Sequence, residues 1–234
     1  GFKRKFVQDF TKMSISDYHF VDSAWVCPME KSPNDADVTK SIARKYGWTF
    51  EVNLQNRVGM GYIHSSSHVN KEEALKEFRE IYGALNRTPL SPQGGERFIK
   101  WDPMILQNPW SDNVVAIGTS SGFVDPLEAT ALFMTQSGIT QLANTIKRGY
   151  SKKSYNRVMR RIWNDGLRFQ LAHYTLSSRT DTQFWLDSQK GADEKFIWDN
   201  YQKYSGSYQW IFPDGIWCQL GIYLNKMEHY APKL

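Results

Sequence analysis

The stretch "VVAIGTSSGFVDPLEATALFM", residues 114–134, decides how this chain is read. It joins an apolar run, a turn of small residues and a helix start. Val114 to Ile117 are continuous rather than alternating, the pattern of a strand buried on both faces inside a sheet. Gly118, Ser120, Ser121 and Gly122 then form a small, flexible crossing. Asp125 has the chemistry of an N-cap, Pro126 suits a first helical position, and Glu128 stands where a capping box places its acid. Leu127, Ala131, Met134, Gly138 and Leu142 follow at helical spacing, a face with small residues where another backbone approaches closely. A helix start of this kind presents free amide N–H groups and the positive end of a helix dipole, which together suit phosphate, pyrophosphate or a halide. The plainer alternative is that Asp125 and Glu128 only cap the helix. Capping accounts for both acids but not for every small residue of "GTSSG".

Upstream, residues 22–29 mix apolar and polar positions like a short strand that Pro28 ends. "WTFEVNLQ" alternates strictly, with Trp48, Phe50, Val52 and Leu54 on one face and Thr49, Glu51, Asn53 and Gln55 on the other, as in a half-buried strand. "NRVG" turns the chain and "MGYIHS" returns as the antiparallel partner. Asn70 caps a helix, Glu73 completes a capping box, and Ala74, Leu75, Phe78 and Tyr82 recur at helical spacing until Gly83 stops it. "NRTPLSPQGGERF" is rich in proline and glycine and predicts an exposed loop. A second helical region covers residues 153–174, with Tyr155, Val158, Met159 and Ile162 on one apolar face. Strands with one helix, then a buried strand, then mostly helix predict a mixed α/β fold.

At 234 residues the chain is long enough for a sizeable core, and its 41% hydrophobic content suits a folded protein. Aromatic residues are abundant, which favours core packing first and stacking on a flat ligand second. No apolar run approaches the ~18 residues of a membrane-spanning helix. Cys27 and Cys218 alone do not make a disulfide framework, and a reducing cytoplasm is the expected compartment. The net charge of +5 is spread along the chain, and Lys3-Arg4-Lys5, Lys152-Lys153 and Arg160-Arg161 read as solvated surface rather than a nucleic-acid site. His64, His68 and Glu72 have the spacing of a metal-binding helix face, but "SSS" and the Asn70 cap break the helix there, so no metal is expected. His173 suits a packed histidine bonded to the backbone. "SYQWIFPDGIW" offers rings for core packing or for stacking on an aromatic substrate. No hydrolase G-x-S-x-G or NTPase G-x-x-x-x-G-K pattern occurs.

Three ordered stretches carry a family resemblance. "NVVAIGTSSGFVDPLEAT", residues 113–130, resembles the N-x-V-A-I-G-x-S-x-G-F-x-E-P-L-E-S-T-G segment of flavin-dependent halogenases of the tryptophan-halogenase family. "GWTFEVNLQNRVGMGYIHS", from Gly47, resembles the G-W-x-W-x-I-P-L-x-x-R-x-G-x-G-Y-x-Y-S stretch of that family, and "LAHYTLSSRTDTQFW", ending at Trp185, its H-Y-x-L-x-x-R-x-D-x-x-F-W stretch. The resemblance implies the C-terminal part of a flavoprotein-monooxygenase-like FAD-binding α/β fold with an added, mainly helical region. Residues 1–150 would then belong to the FAD- and halide-binding part, and residues 151–234 to an aromatic-rich, substrate-side region.

The chemistry it implies starts from FADH2 supplied by a separate flavin reductase, dioxygen and a halide ion. Hypohalous acid forms and halogenates an electron-rich, indole-like substrate. Glu128 matches the catalytic glutamate, Thr130 and Ala131 the pair whose amides hold the halide, and Gly118 and Leu132 positions beside the flavin. Residues 48–53 replace the W-x-W-x-I-P pattern, and Ala129 and Ala131 replace its Ser and Gly. Because alanine reaches positive φ less easily than glycine, Ala131 predicts a reshaped halide pocket. The N-terminal G-x-G-x-x-G and the catalytic lysine of the family have no match here, and "GMGYIH" is a partial glycine pattern inside a hairpin. The chain is therefore expected to correspond to a C-terminal half. A hydroxylating flavin monooxygenase and a non-catalytic binding module remain as alternatives, and a homo-oligomer is left open.

Overall fold

The computed structural model describes residues 5–17, 19–91 and 95–191. In chain order the elements are strands β1 (Lys12–Ser14), β2 (Ser23–Met29), β3 (Thr39–Arg44), β4 (Gly47–Asn53) and β5 (Val58–His64), helix α1 (Lys71–Ala84), strands β6 (Arg97–Lys100), β7 (Met104–Leu106), β8 (Trp110–Ser111), β9 (Val114–Val115) and β10 (Gly122–Phe123), and helices α2 (Thr130–Lys147), α3 (Lys152–Thr175) and α4 (Gln183–Gly191). The fold is mixed α/β, and the paired strands among the described residues run antiparallel. The chain groups into two compact units, Phe20–Trp101 with Thr180–Leu186, and Gly1–His19 with Asp102–Arg179 and Asp187–Leu234. Residue 150 falls inside the second of these.

The first unit is a five-stranded sheet in the order β3-β4-β5-β2-β6. The alternating "WTFEVNLQ" forms β4 and pairs with β5 as expected. Pairing sets Trp25 opposite Tyr62, Cys27 opposite Met60 and Met29 opposite Val58, so one face is a continuous apolar layer. Ala74 and Phe78 of α1, both fully buried, join the same cluster. The Asn70 cap is present, its Oδ1 accepting the Glu73 amide at 2.8 Å. The helix passes through Gly83, the expected stop, and the chain turns at Asn86 with φ 52°. Asparagine tolerates that left-handed conformation better than most residues.

Two local expectations fail in this sheet. The polar face of β4 is not solvated, because Thr49 and Glu51 are buried opposite Tyr62 and Met60. Glu51 bears this because Arg87 donates to its Oε2 through Nε at 2.9 Å and Nη2 at 2.7 Å. Arg87 belongs to the stretch expected to be an exposed loop. Pro28 does not end β2 but lies within it, beyond the last β6 pairing at Val26, where no ladder hydrogen bond needs its missing N–H.

The second unit holds a three-stranded sheet in the order β1-β7-β10, the hairpin β8-β9, and the packed pair α2 and α3. Here "VVAI" departs from its reading as a buried interior strand. Only Val114 and Val115 form a strand, both are partly buried, and they pair with Trp110 and Ser111 alone. Ser151 caps α3 by accepting the Ser154 amide at 3.2 Å. Tyr155, Met159, Trp163 and Leu167 repeat along one face of α3 and form the core with Met134 of α2, Ile105 and Val124. The small-residue face of α2 does allow close approach, since a Cβ on Gly138 would stand 3.3 Å from Ile117 and 3.8 Å from the Tyr155 hydroxyl.

Candidate active site

Residues 116–135 build the site within the second unit. Gly118 adopts φ 64°, and a Cβ there would lie 2.8 Å from Thr135 Oγ1, so both the turn and the helix beside it require glycine. Ser120 Oγ donates to Ile117 O at 2.7 Å and accepts the Ile117 amide at 3.1 Å. Ser121 Oγ donates to Gly118 O at 2.8 Å. The small residues of "GTSSG" thus close their own turn, and the free helix amides lie further on.

Asp125 does not cap α2. Its Oδ1 accepts the Leu127 amide at 2.5 Å and starts a single 3-10 turn, Leu127–Ala129, while α2 begins at Thr130. Between them Glu128 and Ala129 both adopt left-handed backbone, φ 54° and 53°. The conformation expected to matter at Ala131 therefore sits at residues 128 and 129, and Ala131 is an ordinary helical residue. Non-glycine residues pay roughly 1–2 kcal/mol each for that region, and it persists only where the surroundings impose it.

The surroundings are a buried polar cluster. The Tyr174 hydroxyl donates to Asp125 Oδ2 at 2.5 Å, and His19 Nε2 lies 3.3 Å from the same oxygen without hydrogen-bond geometry. Gln170 Nε2 donates to the Asp125 carbonyl at 2.8 Å and to Thr130 Oγ1 at 2.6 Å, and Thr130 Oγ1 donates to Leu127 O at 2.9 Å. Against this buried floor Glu128 and Ala129 are exposed. Nearby, His173 Nδ1 bonds Phe169 O at 2.9 Å, the packed role its sequence suggested. Burial pushes the His173 imidazolium pKa down, against the opposing pull of the Phe169 carbonyl and the negative charges of Glu128 and Asp125.

The chemical capacity of the site follows from this geometry. An exposed carboxylate stands immediately before an 18-residue helix that no side chain caps. The amides of such a terminus attract an anion of halide size. Of the two amides that the resemblance assigns to a halide, that of Thr130 donates to Leu127 O. Leu132 is 75% exposed beside them, an apolar surface for the edge of a flat ring. These features fit a halide and one side of a flavin. Among the described residues no glycine-rich turn joins a strand to a helix in the manner that cradles a pyrophosphate.

Sequence reading missed Gln170, His19 and Asp125 as a connected group, because their partners are tens of residues apart. Of these only Asp125 stood out in the sequence, and there as a helix cap. Among the described residues no group of three or more His, Cys, Asp or Glu side chains suits a metal, and no helix is long and apolar enough to cross a membrane. His68 Nδ1 instead contacts Ser65 Oγ at 2.8 Å, and His64 Nδ1 the Tyr62 carbonyl at 3.3 Å. Cys27 is buried, its Sγ donates to the Pro28 carbonyl at 3.7 Å, and burial pushes its thiol pKa up to about 11. "SYQWIFPDGIW" and Cys218 lie outside the described residues.

The chain is similar to known proteins in sequence and in fold. The sequence pattern of the tryptophan halogenases matches residues 1–210. The chain is 32% identical over 188 residues to the tryptophan 7-halogenase RebH of Lentzea aerocolonigenes, covering 74% of this chain and 33% of that protein. It is 34% identical over 155 residues to the 7-chloro-L-tryptophan 6-halogenase KtzR of Kutzneria sp. (strain 744), covering 64% of this chain and 29% of the other. Among solved structures, BrvH, a flavin-dependent halogenase from Brevundimonas sp. BAL3, superposes with a TM-score of 0.82 at 26% identity, over 97% of this chain and 48% of its own. The chain thus spans about a third of the length of these curated relatives and about half of the solved one.

Proposed function

Because this chain belongs to the tryptophan halogenase family, we propose that it forms the halide-handling part of a flavin-dependent halogenase acting on an electron-rich, indole-like ring, with Glu128 as its catalytic carboxylate. The observation that carries this is the exposed Glu128, set on a left-handed turn directly ahead of the uncapped start of α2. Reduced FAD delivered by a separate reductase would, with dioxygen, supply the oxidising equivalents that convert halide to hypohalous acid. The Ala131 amide, with a shared contribution from Thr130, holds the halide at the positive end of the α2 dipole. Leu132 would offer its exposed side chain to the flavin ring, and Gly118 keeps its own turn closed.

Glu128 acts on the aromatic side of the reaction. The ring carbon attacks the halogen of hypohalous acid, the halogen–oxygen bond breaks, and the oxygen departs as hydroxide. The displaced ring proton passes to the carboxylate and from it to the hydroxide, giving water and restoring the carboxylate, or the carboxylate orients the acid by hydrogen bonding before attack and the hydroxide takes the ring proton. Either task depends on placement within about 3 Å of the reacting atoms more than on basicity. Residues 151–234 are assigned to the substrate side.

The test uses the complete protein with reduced FAD, oxygen, chloride or bromide, and tryptophan or indole. Halogenated product that requires all components and is lost in Glu128→Gln supports the proposal. Because Glu128 is exposed, the same variant should unfold within about 0.5 kcal/mol of wild type. Product at the wild-type rate from Glu128→Gln removes that residue's role, and a product heavier by oxygen rather than halogen makes the protein a hydroxylating monooxygenase.

A further inference from the structure

We infer that Gln170 and Tyr174 of α3 are positioning residues that aim Glu128; the inference rests on the role proposed for Glu128. Among the described residues, no hydrogen bond or ion pair holds the Glu128 carboxylate. No side-chain hydrogen bond therefore fixes its direction, which follows from a backbone of two successive left-handed residues that L-amino acids resist. Something outside the turn has to impose it. Gln170 spends both hydrogens of one amide group on the two ends of the turn, the Asp125 carbonyl and Thr130 Oγ1. Tyr174, one helical turn later on the same face, fixes the Asp125 carboxylate that in turn holds the Leu127 amide.

All four anchoring residues are nearly inaccessible: Asp125 1%, Thr130 3%, Gln170 3% and Tyr174 4% exposed. The residues they bracket, Glu128 and Ala129, are exposed. The arrangement is a clamp whose closed ends lie in the core and whose free middle carries the acid. Neither clamp residue needs to reach a substrate.

The test uses the complete protein in three variants. Gln170→Glu turns a two-hydrogen donor into an acceptor facing two acceptors, Gln170→Met keeps the volume without a donor, and Tyr174→Phe removes one oxygen atom. The readouts are kcat and KM for the aromatic substrate, product formed per flavin reoxidised, and amide hydrogen exchange over residues 125–132. The clamp predicts a kcat loss of about 10- to 100-fold for the Gln170 variants at unchanged KM, a smaller loss in the same direction for Tyr174→Phe, and faster exchange confined to that segment. Wild-type kcat and exchange in the Gln170 variants and in Tyr174→Phe overturn it. So does exchange that rises through all of α3 while kcat per folded molecule stays constant, which would mean a merely structural role. If the Gln170 variants do not fold, Tyr174→Phe decides alone. Absence of halogenated product from wild type overturns the proposed reaction but not the clamp, which the exchange measurement judges independently.

Discussion

Residue 129 shows how much a single backbone angle contributes to this site. Alanine at φ 53° bears a left-handed conformation that glycine would adopt freely and a β-branched residue would resist. Ala129→Val should therefore lower unfolding stability by about 1–2 kcal/mol, whereas Ala129→Gly should stay within about 1 kcal/mol of wild type, both read from urea denaturation midpoints. The Glu128 identity was visible in the "DPLEAT" pattern, since family resemblance fixes residue type and order. The left-handed pair was not, because neither glutamate nor alanine signals positive φ. The strain looked more natural at Ala131, where the family has glycine, yet that residue is helical.

At the scale of elements, the Asn70 start of α1 was legible in short-range chemistry, whereas Asp125 does not cap α2 and Gly83 does not stop α1. Asn70 and Ser151 each accept an amide three residues ahead, at 2.8 Å and 3.2 Å, as cap residues do. Asn70→Ala and Ser151→Ala should each cost about 1 kcal/mol in denaturation. Gly47, at the start of β4, is a stricter requirement: a Cβ there would overlap the Ile63 carbonyl oxygen of the neighbouring strand. Gly47→Ala should shift β4 away from β5 and reduce the melting temperature more than either cap variant, as measured calorimetrically. The "VVAI" run misled because continuous apolar residues specify burial, not the structure that achieves it. Ala116 is buried with Val7, Met104 and Leu106 outside any strand, and its neighbours Val114 and Val115 form only a two-residue strand.

Across the whole molecule, each unit contains a histidine whose pKa burial lowers, His64 in one and His173 in the other. An unfolded histidine titrates near ~6.5, so just below that pH the unfolded chain binds more protons than the folded one. Their contribution is complete above pH ~6.5 and is lost as the pH falls toward the depressed folded values. Glu96, held below the usual carboxylate range by its hydrogen bond to Arg79, gives way only at more acid pH, below ~4.5. The melting temperature should thus fall in two stages on acidification, and His64→Gln with His173→Gln should flatten the first; an unchanged first stage would place it in other groups. What the sequence by itself determined were the local and ordered features: the Asn70 cap of α1, the β4–β5 hairpin, the apolar face of α3 and the motifs that carry the family resemblance. Only the tertiary structure decided that Glu51 is buried, which needs Arg87 from 36 residues away, and that Asp125 anchors a left-handed turn, which needs Gln170 and Tyr174 from 45 and 49 residues away. Caps and periodicity act within a few residues along the chain, but burying a carboxylate or holding strained backbone requires partners that only folding brings into reach.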